Sequence, residues 1–120
     1  MTLVFVYGTL KRGGGNHHFL AGQAFVDEAR TARGYTLYDL SGYPGMVRQD
    51  DDDTGVMGEV WSVDDECLAR LDVLECTAEG LYRLEAVPLA SPFPERAVKT
   101  YIYLKDTKDR PRIGSEWAIK

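Results

Sequence analysis

The position in this sequence best suited to chemistry is an acid where a leucine is expected. From Asp64 to Glu75 the chain reads as an amphipathic helix. Asp64 is a candidate N-cap, Asp65 and Glu66 suit the positive end of the helix dipole, and Leu68, Ala69, Leu71 and Leu74 follow. At about 100° per residue, Glu75 falls about 20° from Leu68 and about 40° from Leu71, in the middle of the apolar face. Asp72 borders the same stripe, whereas Asp65 and Glu66 lie well away from it. A carboxylate turned inward costs on the order of several kcal/mol if it stays charged and unpaired. Burial also raises its pKa toward neutrality, which is what a general acid/base needs. The wheel leaves two readings open: a catalytic group facing a pocket, or a helix that frays before Glu75 and releases the side chain to water.

A second concentration of chemical potential lies in Tyr7-Gly8-Thr9-Leu10, directly after the apolar run Leu3 to Val6. Gly8 permits a sharp turn and close backbone approach, and Tyr7 and Thr9 supply hydroxyls. Successive N–H groups in such a turn can form a concave donor site for a carboxylate or an oxyanion. Lys11-Arg12 and Gly13-Gly14-Gly15 follow, yet a phosphate loop fails on spacing: counted from Gly8, its Lys and Ser/Thr would fall on Gly14 and Gly15. Gly13 to Gly15 reads instead as a flexible surface loop. His17 and His18, the only histidines, diverge by about 100° on a helix and would not chelate one metal together. Cys67 and Cys76 are in no Cys-x-x-Cys pair and have no neighbouring His, so free thiols are expected. No metal site and no cofactor are expected.

These groups need a scaffold. Thr2 to Tyr7, Gly34 to Leu40, Val56 to Val63, Tyr82 to Leu89 and Ala97 to Leu104 read as strands, with a weaker one over Pro44 to Gln49. A second, shorter helix is expected over Asn16 to Gln23, and Asp50 to Asp53 reads as an exposed, solvated hairpin loop. With no linker or repeat, residues 1–120 form one α+β domain in which sheet outweighs helix. Apolar residues make up 44% and charged residues 28%, the balance of a folded globular protein. A net charge of −5 argues against nucleic acid, and the Lys105 to Arg112 cluster reads as a solvated loop. No apolar run approaches the roughly 20 residues that cross a bilayer, and no basic n-region precedes Leu3, so a cytoplasmic protein is expected.

Taken in order, the motifs resemble the gamma-glutamylcyclotransferase-like family. There a strand enters Tyr-Gly-[Thr/Ser]-Leu, here Tyr7-Gly8-Thr9-Leu10, and the catalytic Glu ends a Leu-Asp-x-x-Glu stretch, here Leu71-Asp72-Val73-Leu74-Glu75. A Tyr follows after a Gly, here Gly80-Leu81-Tyr82, with Arg83 next. Phe5 to Gly13 is similar to the branch acting on gamma-glutamylamines. Gly42-Tyr43-Pro44-Gly45, Gly58-Glu59-Val60-Trp61 and Gly114-Ser115-x-Trp117 also match. The resemblance implies a small mixed β-barrel of about five to six strands with flanking helices.

It also implies a reaction. The α-amino group of a small gamma-glutamyl substrate attacks its own gamma-carbonyl, releasing 5-oxoproline and an amine without metal or cofactor. Glu75 is the implied catalytic acid/base, the turn Gly8, Thr9 and Leu10 binds the carboxylate or oxyanion, and Tyr7 and Tyr82 line the pocket. A non-catalytic binding module using the same pocket, and amide transfer or acyl-group removal from a biosynthetic intermediate by the same residues, are the alternatives. Tyr101 and Tyr103 share one face of the last long strand, where barrel packing or pocket lining are both open. The leaving group and the oligomeric state are not legible.

Overall fold

A computed structural model describes residues 1–91 and 97–118. The elements run β1 (Thr2–Val6), a 3-10 turn (His17–Leu20), β2 (Ala24–Thr31), β3 (Tyr35–Asp39), β4 (Pro44–Arg48) and β5 (Met57–Val63). Then come α1 (Asp65–Leu74), β6 (Tyr82–Ala86), β7 (Leu89–Ser91), β8 (Lys99–Tyr103) and β9 (Arg112–Gly114). The fold is thus α+β, with one α-helix among the described residues.

The nine strands form one mixed sheet in the order β7-β2-β5-β1-β8-β4-β3-β9, with β6 attached to β8. The small closed barrel of about five to six strands is corrected here. The sheet is open, ending in β7 and β9 of three residues each, too short to offer a long ladder to one another. It is also branched at β8, whose one edge pairs with β6 from Tyr103 to Lys99 while the other is shared by two parallel neighbours. β1 meets β8 at Lys99, and β4 meets it at Ile102.

β1 is apolar without alternation because both its faces are covered. Val4 and Val6 enter the cluster that packs under α1 with Leu71, Leu20 and Tyr101. Phe5 and Tyr7 point the other way, among Leu37, Met46, Val60 and Ile102. β8 divides by the same period of two: Tyr101 and Tyr103 face the helix side and Ile102 the opposite core.

Three strands escape the sequence reading. β2 carries Asp27, Glu28 and Arg30, and a register shift between Phe25 and Asp27 breaks its alternation, yet it pairs with β5 from Ala24 to Arg30. The segment Tyr82 to Leu89 divides into β6, which pairs with β8, and β7, which pairs with β2; Pro88, without an N–H, lies between them. β9 is a short edge beside β3. The Asn16 to Gln23 helix is reduced to one 3-10 turn, closed by i to i+3 bonds such as Ala21 N–H to His18 O at 3.1 Å, and Gly22 beyond it sits at φ 80°.

The acidic run is also not wholly solvated. Asp52 is buried, and its Oδ1 accepts from Thr54 N at 2.9 Å, Thr54 Oγ1 at 3.0 Å and Gly55 N at 3.0 Å. It organises the turn into β5 rather than facing water. Lys105 to Arg112 is largely exposed, as expected. No described helix is long and apolar enough to cross a membrane.

Candidate active site

Helix α1 delivers Glu75. Asp64 caps its N-terminus by accepting from Cys67 N–H at 2.7 Å, and Asp65 and Glu66 lie in the first turn. The helix does not fray early: Glu75 N–H still donates to Leu71 O at 2.9 Å, and Glu75 is the C-cap. It then stops abruptly. Cys76 adopts φ 54°, Cys76 N–H donates to Val73 O at 3.1 Å, and Thr77 N–H donates to Asp72 O at 3.1 Å. That pair of bonds is a Schellman closure with cysteine where glycine is usual. The helix end is also tied to the sheet, because Tyr101 OH donates to Asp72 Oδ1 at 2.7 Å.

The opposite wall is the turn after β1. Lys11 N–H donates to Gly8 O at 3.1 Å, Gly14 N–H to Lys11 O at 2.8 Å and Asn16 N–H to Thr9 O at 2.9 Å. The glycine loop is therefore folded back on the turn, not loose: a Cβ on Gly14 would lie 2.2 Å from Thr9 O. Gly8 is required for a different reason, since a Cβ there would lie 2.5 Å from Cγ of the Pro44 ring. While these carbonyls are occupied, the N–H groups of Gly8, Thr9 and Leu10 enter no hydrogen bond among the described residues. Beyond the turn, buried Glu59 on β5 accepts from Arg12 N at 3.1 Å, Arg12 Nε at 3.1 Å and Trp61 Nε1 at 3.1 Å, which pins the chain as it leaves. Lys11 is itself buried, its ammonium 2.7 Å from Trp117 O, and burial lowers its pKa.

Between these walls lies a cavity of about 310 Å³. It brings together all the residues singled out in the sequence: Tyr7, Gly8, Thr9, Leu10, Glu75 and Tyr82. The Glu75 carboxylate makes no hydrogen bond or ion pair among the described residues, and burial alone pushes its pKa up from 4.5 to about 7. The tyrosines around it are committed. Tyr7 OH donates to Tyr101 O at 2.6 Å and Tyr82 OH to Pro44 O at 2.9 Å. Burial first, then nearby charges including Glu75, raises the pKa of both, so each remains a neutral hydroxyl. Tyr101 lines the cavity, whereas Tyr103 packs edge-on against Tyr82 at 5.3 Å between ring centres. The two tyrosines thus divide the two roles left open for them.

Among the described residues, no Lys, Arg or His lines the cavity. No group of metal-ligating side chains occurs among them either, and His17 is used structurally, with Nδ1 3.0 Å from Leu10 O and its ring against Trp61. Sequence reasoning missed Asn16 and Cys76 as lining residues, and Tyr43 and Pro44 appeared only within a matching motif. Asn16 carried no signal at all: it reaches the site because its Nδ2 donates to Thr9 Oγ1 at 3.0 Å.

The turn Gly8 to Leu10 and the unpartnered Glu75 thus line one cavity. The family described as gamma-glutamyl cyclotransferase, AIG2-like, matches residues 4–118. The chain belongs to this family. Within it, a protein of Vibrio cholerae named a putative gamma-glutamylcyclotransferase is 47% identical over 73 residues, which cover 61% of each chain. The chain thus spans less than two thirds of that relative. Human gamma-glutamylaminecyclotransferase is 35% identical over 134 residues, covering 98% of this chain and 84% of its own. The crystal structure of a uropathogenic E. coli-specific protein superposes with a TM-score of 0.78 at 29% identity, covering 95% of this chain and 91% of that one. The stretches Tyr7-Gly8-Thr9-Leu10 and Leu71 to Glu75 lie inside the matched range.

Proposed function

We propose that this chain is an enzyme that cyclises a gamma-glutamyl amide, releasing 5-oxoproline and a free amine. One observation carries the proposal: Glu75 is a carboxyl with no partner among the described residues, held near neutral pKa by burial alone, inside the cavity that the Gly8 turn encloses. A group with pKa about 7 both accepts and returns a proton at modest cost. The fold itself gains nothing from that state, since an unpaired inward carboxylate destabilises it.

The chemistry balances without a further reactant. Glu75 takes a proton from the substrate's α-ammonium group. The free amine attacks the gamma-carbonyl, forming the ring C–N bond and placing charge on the carbonyl oxygen. The N–H groups of Gly8, Thr9 and Leu10 meet that oxygen or the substrate carboxylate. Glu75 then returns the proton to the leaving nitrogen as the original amide C–N bond breaks, and the ring nitrogen, which still carries two protons after the attack, passes the surplus one to the departing amine, which leaves as an ammonium ion. Tyr7 and Tyr82, fixed by their bonds to Tyr101 O and Pro44 O, shape the wall that holds the chain in an attacking fold. Asp72 and Tyr101 keep the end of α1 in place. We assign the protein to the cytoplasm, where its two cysteines remain free thiols.

The test is release of 5-oxoproline from a panel of gamma-glutamylamines and gamma-glutamyl-α-amino acids, with Glu75→Gln alongside. The wild type is expected to turn over at least one class, and the variant to lose about 10³-fold in kcat. Full activity in Glu75→Gln would remove Glu75 from the mechanism. Ligand binding without turnover by the wild type would make the chain a binding module.

A further inference from the structure

Asn16 lines the Glu75 cavity, yet the cyclisation chemistry by itself gives it no task. It has no local duty either. Asn16 is the N-cap of the 3-10 turn, a position where asparagine commonly accepts from a following N–H, but its side chain makes no such bond. The amide turns to the strand-end loop instead, where Nδ2 donates to Thr9 Oγ1 at 3.0 Å. Its backbone is tied down separately: Asn16 N–H donates to Thr9 O at 2.9 Å, and Asn16 O accepts from Phe19 N–H at 3.1 Å. These bonds persist when the amide is removed.

What the amide fixes is the polarity of a hydroxyl. A threonine hydroxyl has one proton and two lone pairs. With a lone pair of Thr9 Oγ1 occupied by Asn16, the hydroxyl proton turns away from that bond, and it enters no hydrogen bond among the described residues. Thr9 lines the cavity, so this proton is available there. Few other side chains offer one. Tyr7, Tyr82 and Tyr101 commit their hydroxyl protons to Tyr101 O, Pro44 O and Asp72 Oδ1. The Cys76 thiol, a weak donor, faces Leu74 O at 3.9 Å, and Tyr43 reaches the cavity from an exposed position. No Lys, Arg or His lines the cavity among the described residues. A gamma-glutamyl substrate brings its α-carboxylate into this space beside Glu75, and an anion enclosed without donors is strongly destabilised. The N–H groups of Gly8, Thr9 and Leu10 must also meet the carbonyl oxygen. The Thr9 hydroxyl adds a neutral donor to them.

We propose that Asn16 is a positioning residue: by occupying a lone pair of Thr9 Oγ1, it holds the Thr9 hydroxyl as a donor to the substrate's α-carboxylate. The proposal rests on the cyclisation reading above and names how the site distinguishes its substrate from a compound without that carboxylate.

Two compounds isolate the contact: gamma-glutamyl butylamide, and 4-aminobutanoyl butylamide, which lacks only the α-carboxylate and would close to 2-pyrrolidinone. The readout is the ratio of their kcat/KM values, in which damage common to both cancels. Thr9→Val should lower the wild-type ratio by about tenfold, the size expected for a lost hydrogen bond to a charged group. Thr9→Ser, which keeps the hydroxyl, should stay within about twofold. Asn16→Ala should lower the ratio by about three- to fivefold, because the hydroxyl is then free to turn elsewhere. Since Asn16 acts through Thr9, the double variant should match Thr9→Val rather than fall by about thirty- to fiftyfold, as independent effects would. The loss should appear chiefly in KM, because the carboxylate keeps its charge throughout the reaction. Inhibition constants of 5-oxoproline and 2-pyrrolidinone, followed by amine release, give the same ratio without turnover of the second compound and should fall in the same order. An unchanged ratio in Thr9→Val or Asn16→Ala, or multiplied effects in the double variant, would overturn the role of Asn16 while the wild type still reported cyclisation. No ring product from either compound would overturn the reaction and this role with it.

Discussion

Glu59 and Glu75 stand on opposite sides of the turn that follows β1, and the protein treats them in opposite ways. Glu59, buried on β5, is met by Arg12 N, Arg12 Nε and Trp61 Nε1. Glu75, at the end of α1, is met by nothing among the described residues, and burial pushes its pKa up to about 7. One carboxylate is surrounded by donors and fixes the backbone; the other is partly buried, unpaired and left available at the cavity wall. Burial of an acid is thus ambiguous by itself. What separates anchor from reagent is whether the protein supplies the donors or leaves the space for a substrate to supply them.

The contrast can be attacked most strongly through turnover. Glu75→Gln should lower 5-oxoproline production by about 10³-fold, whereas Glu59→Gln should leave kcat within about tenfold, measured with the same gamma-glutamyl substrate. Next comes stability. Glu59→Gln puts an amide N–H₂ where Arg12 Nε needs an acceptor, so unfolding free energy from urea titration should fall by about 3 kcal/mol. Glu75→Gln should act in the other direction. Its folded pKa of about 7 lies above the ordinary 4.5, so the folded state holds that proton more tightly than the unfolded state. The stability associated with the neutral form is complete below about 4.5, declines as pH rises through 7, and is flat beyond. The variant cannot ionise, so it should exceed the wild type by on the order of 2–3 kcal/mol at pH 8 and match it at pH 4. A destabilised variant at pH 8 would mean that Glu75 has a partner. The smallest expected effect is that of Tyr101→Phe, which cuts the tie to Asp72: about 1 kcal/mol of stability and about a fivefold loss in kcat, with KM little changed.

The residues that line the candidate site were more legible in the sequence than the sheet was, for a physical reason. Glu75 was visible because α1 is a regular helix, and a 3.6-residue period turns position into direction from a string of letters. The wheel could not decide between an inward Glu75 and a frayed end; that was settled by the Schellman closure at Cys76, a bond pattern with no glycine to announce it. The Gly8 turn was legible because an apolar strand runs straight into it. Asn16 was not, since its place depends on a loop folding back through Thr9. In the sheet, β1, β5 and β8 could be read from their apolar content. β2 could not, because a bulge shifts the phase of an already charged strand and its conformation is dictated by β5. Openness of the sheet was equally hidden: it follows from the short end strands β7 and β9 not pairing with one another, and that, like the branch at β8, is a long-range property that no local pattern encodes.

The most direct measurement needs no substrate. In protein labelled with ¹³C at glutamate side-chain carboxyls, the Glu75 resonance, assigned by its loss in Glu75→Gln, should titrate with a midpoint of about 7. A midpoint near 4.5 would show a solvated or paired carboxylate and contradict the acid/base role assigned to Glu75.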